Sequence, residues 1–105
     1  MKLIKAFSVW VALICPFVAK AELFETAAAV PNNLHVYDVS GNTYVDLIPY
    51  GCSDFRYYLW PDHPKYDAII SILMAAQIAN KKVVFRVDGC NNQRQGNLVG
   101  VYLLN

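Results

Sequence analysis

The chain has 105 residues, nine Lys and Arg against eight Asp and Glu, and 56% hydrophobic residues. That length holds one small domain with a modest core. The near-neutral balance, with no Lys/Arg run and no amphipathic membrane-surface helix, argues against nucleic acid or a membrane surface as a partner.

The first residues read as an address. Lys2 and Lys5 form a short positive region, residues 6–18 an apolar run, and Ala19-Lys20-Ala21 fits the small-x-small rule for signal peptidase. The run is shorter than the roughly 20 residues a spanning helix needs, so residues 1–21 are expected to be a cleaved signal peptide. Ile14 before Cys15 is too large for a lipobox. Cleavage before Glu22 leaves 84 residues, six basic and eight acidic, with a net charge of about −2. The expected destination is the periplasm or the exterior of a Gram-negative-type cell, with no membrane attachment after cleavage. Cys52 and Cys90 then remain as an even pair in an exported chain, and a disulfide between them is the default.

Residues 22–31 are an Ala-rich arm without a pattern, which either frays or pairs loosely at a sheet edge. Residues 34–39 (LHVYDV) read as a strand. Ser40-Gly41-Asn42 is turn chemistry, and residues 43–48 follow as a second strand with Thr43, Val45 and Leu47 on one side. These two form a hairpin. Pro49-Tyr50-Gly51 breaks the pattern. Residues 55–60 (FRYYLW) form a third strand, with Phe55, Tyr57 and Leu59 alternating against Arg56, Tyr58 and Trp60.

Pro64 opens a helix whose apolar stripe is Tyr66, Ile69, Ile70, Leu73 and Met74, with Gln77 at the same spacing. Asn80 suits a left-handed cap, and Lys81 and Lys82 lie near the negative end of the helix dipole. Ile72 and Ile78 fall away from the stripe and lean toward burial against a neighbouring copy. Residues 83–87 read as a β-branched strand, Asp88-Gly89 as a turn at Cys90, 91–96 (NNQRQG) as a polar loop, and 98–104 as a closing strand. The order β-β-β-α-β-β predicts a mainly β, α+β domain over residues 22–105. It is the order of the OB-fold, a five-stranded Greek-key barrel with a helix between strands three and four. A different α+β sheet is the competing architecture.

The unit DAIISILMAAQIANKKVVFRVDGC, followed by NLVGVYL, resembles small exported bacterial OB-fold proteins, among them the B subunits of subtilase cytotoxin and the pertussis-like toxins. Lys82, Val83, Phe85, Arg86, Leu98, Val99 and Gly100 stand at the positions of that pattern, and the resemblance covers residues 66–103 best. It implies a non-catalytic binding subunit that assembles into a ring, a pentamer in those toxins, and recognises host glycans. The alternative is a small periplasmic structural or inhibitor protein that meets another exported protein.

Sugar rings stack on aromatic planes while Asn, Asp and Ser bond their hydroxyls. Tyr37, Ser40, Asn42 and Tyr44 cluster around the first hairpin and could do both, as could Tyr58 and Trp60, with Arg56, on the polar side of strand three. Half-buried strand packing accounts for the same tyrosines. Residues 91–95 serve equally as a recognition loop or a solvated connection. His35 and His63 lack metal-ligand spacing, so no metal or cofactor is expected. No Ser-His or Cys-His set with a third orienting group points to an enzyme.

Overall fold

The computed structural model describes residues 23–104. The expected signal segment, Cys15 and the expected cleavage point before Glu22 lie outside the described residues. Six strands and one helix follow in the order β1 (Leu23–Glu25), β2 (Asn32–Val36), β3 (Thr43–Asp46), β4 (Arg56–Leu59), α1 (Tyr66–Ala79), β5 (Val83–Cys90) and β6 (Gly96–Leu103). They make one mixed sheet in the order β1-β5-β6-β4-β3-β2. Neighbours run antiparallel except β4 and β6, which pair in parallel through Tyr57 with Gly96 and Tyr58 with Asn97. The domain is therefore mainly β with one helix, and no helix among the described residues is long and apolar enough to cross a membrane.

The sixth strand is the difference from the expected five. Nothing in the Ala-rich arm alternates, yet Leu23, Phe24 and Glu25 pair with Asp88, Val87 and Arg86. Phe24 supplies the reason, since its ring packs against the core. The arm continues beside β5 through Thr26 N–H to Phe85 O at 3.0 Å and the reciprocal bonds of Ala29 with Val83. Three residues later Asn32 lies opposite Asp46 on β3. Three residues reach at most about 10 Å, so the two ends of the strand order come together and the sheet rolls up.

Alternation decides which side faces in. Val45 and Leu47, Tyr57 and Leu59, Val83, Phe85 and Val87, and Leu98 are buried, together with Ile69, Leu73 and Ala76 of α1. Each large side chain among them contributes roughly 1.5–3 kcal/mol by leaving water. The Tyr57 ring meets Phe85 edge to face at 5.0 Å, and its hydroxyl donates to Pro49 O at 2.6 Å. Burial pushes that phenol up to about 12.

The helix shows two corrections. Its first residue is Tyr66, so Pro64 stands outside it, in a turn closed by Tyr66 N–H to His63 O at 3.0 Å. The buried face runs through Ile69, Leu73 and Ala76, with Ile72 partly buried against the core, while Met74 is exposed. With Ile69, Leu73 and Ala76 as the buried face, Met74 falls on the outward side of the helix. Ile78 is 81% exposed, as its wheel position implied. Gln77 accepts the Leu34 N–H at 3.1 Å and fixes α1 to β2. Asn80 takes the left-handed conformation at φ 59°, the usual stop signal for a helix.

Strand limits differ as well, most clearly at the ends of β2 and β5. β2 ends at Val36, because Tyr37 N–H turns to Asn42 O at 2.7 Å and Gly41 N–H closes on Asp38 O at 3.0 Å. Gly41 sits at φ 87°, where a side chain is strained. β5 does not turn at Asp88-Gly89 but continues to Cys90, with its register shifted between Val87 and Cys90 and Gly89 at φ 73°. Cys52 and Cys90 form the expected disulfide, with Cα atoms 6.0 Å apart. It ties the segment before β4 to the end of β5.

Candidate functional site

The outer face of β2, β3 and β4 carries what the inner face excludes. His35 lies opposite Tyr44, which lies opposite Tyr58, so strand register sets three rings in a row. The Tyr44 and Tyr58 centroids are 5.4 Å apart and those of His35 and Tyr44 are 5.7 Å apart, with the ring planes tilted by about 34° and 33°. Tyr37 leans in from the hairpin loop and meets Tyr44 edge to face at 6.1 Å.

A hydrogen-bond chain stiffens this row from the loop side. Tyr58 donates its hydroxyl to Asn42 Oδ1 at 2.6 Å, and Asn42 Nδ2 donates to Asp38 Oδ2 at 2.9 Å. The bond from the Asn42 amide holds the Asp38 carboxyl below the usual carboxylate range. Burial, with Tyr44 and the carboxylates of Asp38 and Asp62 nearby, raises the Tyr58 phenol, so it is a stable donor at neutral pH.

Beside the rings stands an ion pair. Arg56 donates through Nε to Asp46 Oδ1 at 2.7 Å and through Nη2 to Asp46 Oδ2 at 3.0 Å, a two-point contact. Asn33, held at φ 54°, adds Nδ2 to Asp46 Oδ2 at 3.0 Å. Burial by itself would raise the Asp46 carboxyl, but the bonds from Arg56 and Asn33 and the Arg56 charge outweigh it and hold it low.

The third wall is the β5–β6 loop. Asn91 Oδ1 accepts the amides of Gln93 and Gln95 at 2.9 Å each, and Asn91 Nδ2 donates to Gln95 Oε1 at 2.9 Å. The loop is internally braced before any ligand arrives. The parallel β4–β6 pairing brings it beside Arg56. Between these walls opens a cleft of about 310 Å³ lined by His35, Tyr37, Tyr44, Arg56, Gln93 and Gln95.

Of the residues singled out by sequence, Tyr37 and Tyr44 line the cleft, while Asn42 and Tyr58 adjoin it through the hydrogen-bond chain. Ser40 sits exposed in the turn and does not line it. Trp60 is drawn elsewhere and stacks on His63 at 4.7 Å. His63 in turn accepts the Lys65 N–H on Nδ1 at 2.9 Å and so presents Nε2–H to Val99 O at 3.2 Å, a structural role. Arg56, named beside Tyr58 and Trp60, lines the cleft, as do Gln93 and Gln95 of the loop expected to serve either recognition or connection; His35 is the lining residue that sequence reasoning did not select as a ligand contact. Among the described residues no group of three or more His, Cys, Asp or Glu is placed to hold a metal ion.

The arrangement can stack a flat apolar face on Tyr37, Tyr44 or His35 and bond polar groups through the glutamines and Arg56. His35 donates Nδ1–H to Asn33 O at 2.6 Å, which leaves Nε2 for a ligand. Comparison with family models, with curated proteins and with solved structures finds no match to the chain.

Proposed function

We propose that the protein is an exported, non-catalytic binding protein of the OB-fold type whose aromatic cleft takes a glycan. Support for the OB-fold comes from the topology. From β2 onward the order is β-β-β-α-β-β, the third and fifth of these strands lie side by side in parallel, and the sheet is rolled. In such barrels the second and third strands, with the first hairpin loop and the loop between the last two strands, are the usual surface for oligosaccharides and oligonucleotides. The cleft here lies between the same loops. Support for export comes from the leader-like residues 1–21 and from the Cys52–Cys90 disulfide. An acidic mature chain disfavours an oligonucleotide.

The observation that carries the reading is the ring cluster Tyr37, Tyr44 and His35, with Tyr37 72% exposed, facing Gln93, Gln95 and Arg56 across one cleft. A glycan array probed with the oxidised chain tests it. Saturable binding that Tyr44→Ala abolishes supports the reading, and silence across a broad panel sinks it. A second reading, assembly of copies into a ring as in the toxin B subunits, draws on Met74 and Ile78 exposed on the outer face of α1. Light scattering on a sizing column decides it, since a monomeric mass leaves no ring.

A further inference from the structure

A second cleft opens at the other end of the same outer face, lined by Asn32, Asn33, Asp46, Ile48, Tyr50 and Phe55. Tyr50 and Phe55 lie 6.0 Å apart, and Ile48, Tyr50 and Phe55 are 74%, 64% and 42% exposed. The two clefts meet at one ion pair, since Arg56 lines the first and its partner Asp46 lines the second. From Tyr44 to Ile48 the chain follows β3 and keeps pairing beside β4 as far as Leu47 N–H to Phe55 O at 2.9 Å. That stretch spans about 13 Å, more than a disaccharide covers. We propose that the two clefts form one groove for an uncharged glycan chain longer than a disaccharide, with Tyr50 and Phe55 as a second stacking platform. This rests on the glycan reading of the first cleft.

Two features select chain length and charge. Aromatic platforms at both ends with a polar pair between them match a chain whose successive rings stack at the ends and bond their hydroxyls in the middle. The arginine that lines the groove is already neutralised by Asp46 in a two-point contact, so it offers a polarised donor and little net charge to an anion. Drawing Arg56 away to serve an acidic sugar would leave Asp46, which is 5% exposed, with only the neutral Asn33 amide bonded to it, a costly state for a buried carboxylate.

The test is titration calorimetry with chito- and malto-oligosaccharides from disaccharide to hexasaccharide. The wild-type chain is expected to bind the hexasaccharide of one series on the order of tenfold tighter than its disaccharide, the gain from one further stacked ring. Tyr50→Ala, and separately Phe55→Ala, should erase that gain and leave disaccharide affinity near wild type. Both side chains are exposed, so these variants should fold. Tyr44→Ala should abolish binding at every length. Equal affinity at all lengths, or a gain that survives both Tyr50→Ala and Phe55→Ala, overturns the groove while the first cleft stands. Failure of both series overturns the inference too, and an array hit confined to acidic sugars then spares the glycan reading, whereas an empty array removes it.

Discussion

Gly96 and Gly100 are two glycines of one strand for which the packing predicts opposite signs. Gly96 lies opposite Tyr57 in the parallel pair, and neither its φ nor that of Gly100 is positive, so backbone strain is no issue at either. A Cβ at Gly96 would stand 2.8 Å from Tyr57 Cδ2 and 2.8 Å from Val87 Cγ1. Both side chains are fully buried, Tyr57 between Phe85 and its bond to Pro49 O. Neither has room to retreat, and overpacking of this kind costs about 1–3 kcal/mol. At Gly100 the nearest atom is Arg86 Cβ at 3.5 Å, ordinary contact with an exposed side chain. Gly100→Ala should therefore be neutral or stabilise by about 0.5 kcal/mol through lower unfolded-state entropy. For a domain of this size each kcal/mol moves Tm by roughly 4–8 °C. Urea and thermal unfolding of the two oxidised variants beside wild type read both effects. Gly96→Ala within about 0.5 kcal/mol of wild type, or Gly100→Ala the more damaging of the two, would refute the packing argument.

The disulfide and the ion pair give further predictions. Replacing Cys52 and Cys90 with Ala opens a loop of sequence separation 38 and should remove about 4 kcal/mol in the entropy model. A urea midpoint equal to wild type would show that the bridge constrains nothing. Asp46→Asn should cost about 1 kcal/mol at neutral pH once solvent screening of the partly exposed Arg56 is allowed for. The folded-state Asp46 carboxyl is depressed, so its stabilisation is present above the unfolded-state value of about 3.9 and is lost as pH falls through the lower folded value. Asp46→Asn should flatten that part of the acid limb of stability against pH, and an unchanged limb would remove Asp46 from the account.

Much of this was legible before the structure, for local reasons. Setting Cys15 aside with the leader-like segment left Cys52 and Cys90 as the pair that the structure shows bonded, and strict alternation in residues 43–47 and 57–59 assigned the inner face of β3 and β4. The misses share a cause, which is that tertiary contacts overrode local pattern. Val36, Tyr37 and Val39 look like strand residues, but the Asp38–Asn42 turn claims the last two, while Asn32 and Asn33, which look like turn residues, are held in β2 by pairing and by Asp46. The arm over residues 23–29 carries no periodicity because only Phe24 and Ala29 pack against the core. Ala76 reads as neutral by sequence yet lies in the buried face, while Met74 does not. For the candidate site, Tyr37, Asn42, Tyr44 and Tyr58 stand close in one hairpin and its neighbour, and the structure brings them together around the first cleft. Gln93 and Gln95 reach the cleft only through the parallel β4–β6 pairing, which no local spacing reveals. Arg56 was singled out with Tyr58 because alternation puts both on the outer face of β4, and the strand register then sets it opposite Asp46.

The most direct measurement is an amide chemical-shift titration of the oxidised chain with its best array ligand. Saturable shifts are expected, concentrated at His35, Tyr37, Tyr44, Arg56, Gln93 and Gln95 and absent in Tyr44→Ala. Shifts centred on α1 or on the Trp60–His63 corner, or identical shifts in Tyr44→Ala, would contradict that expectation.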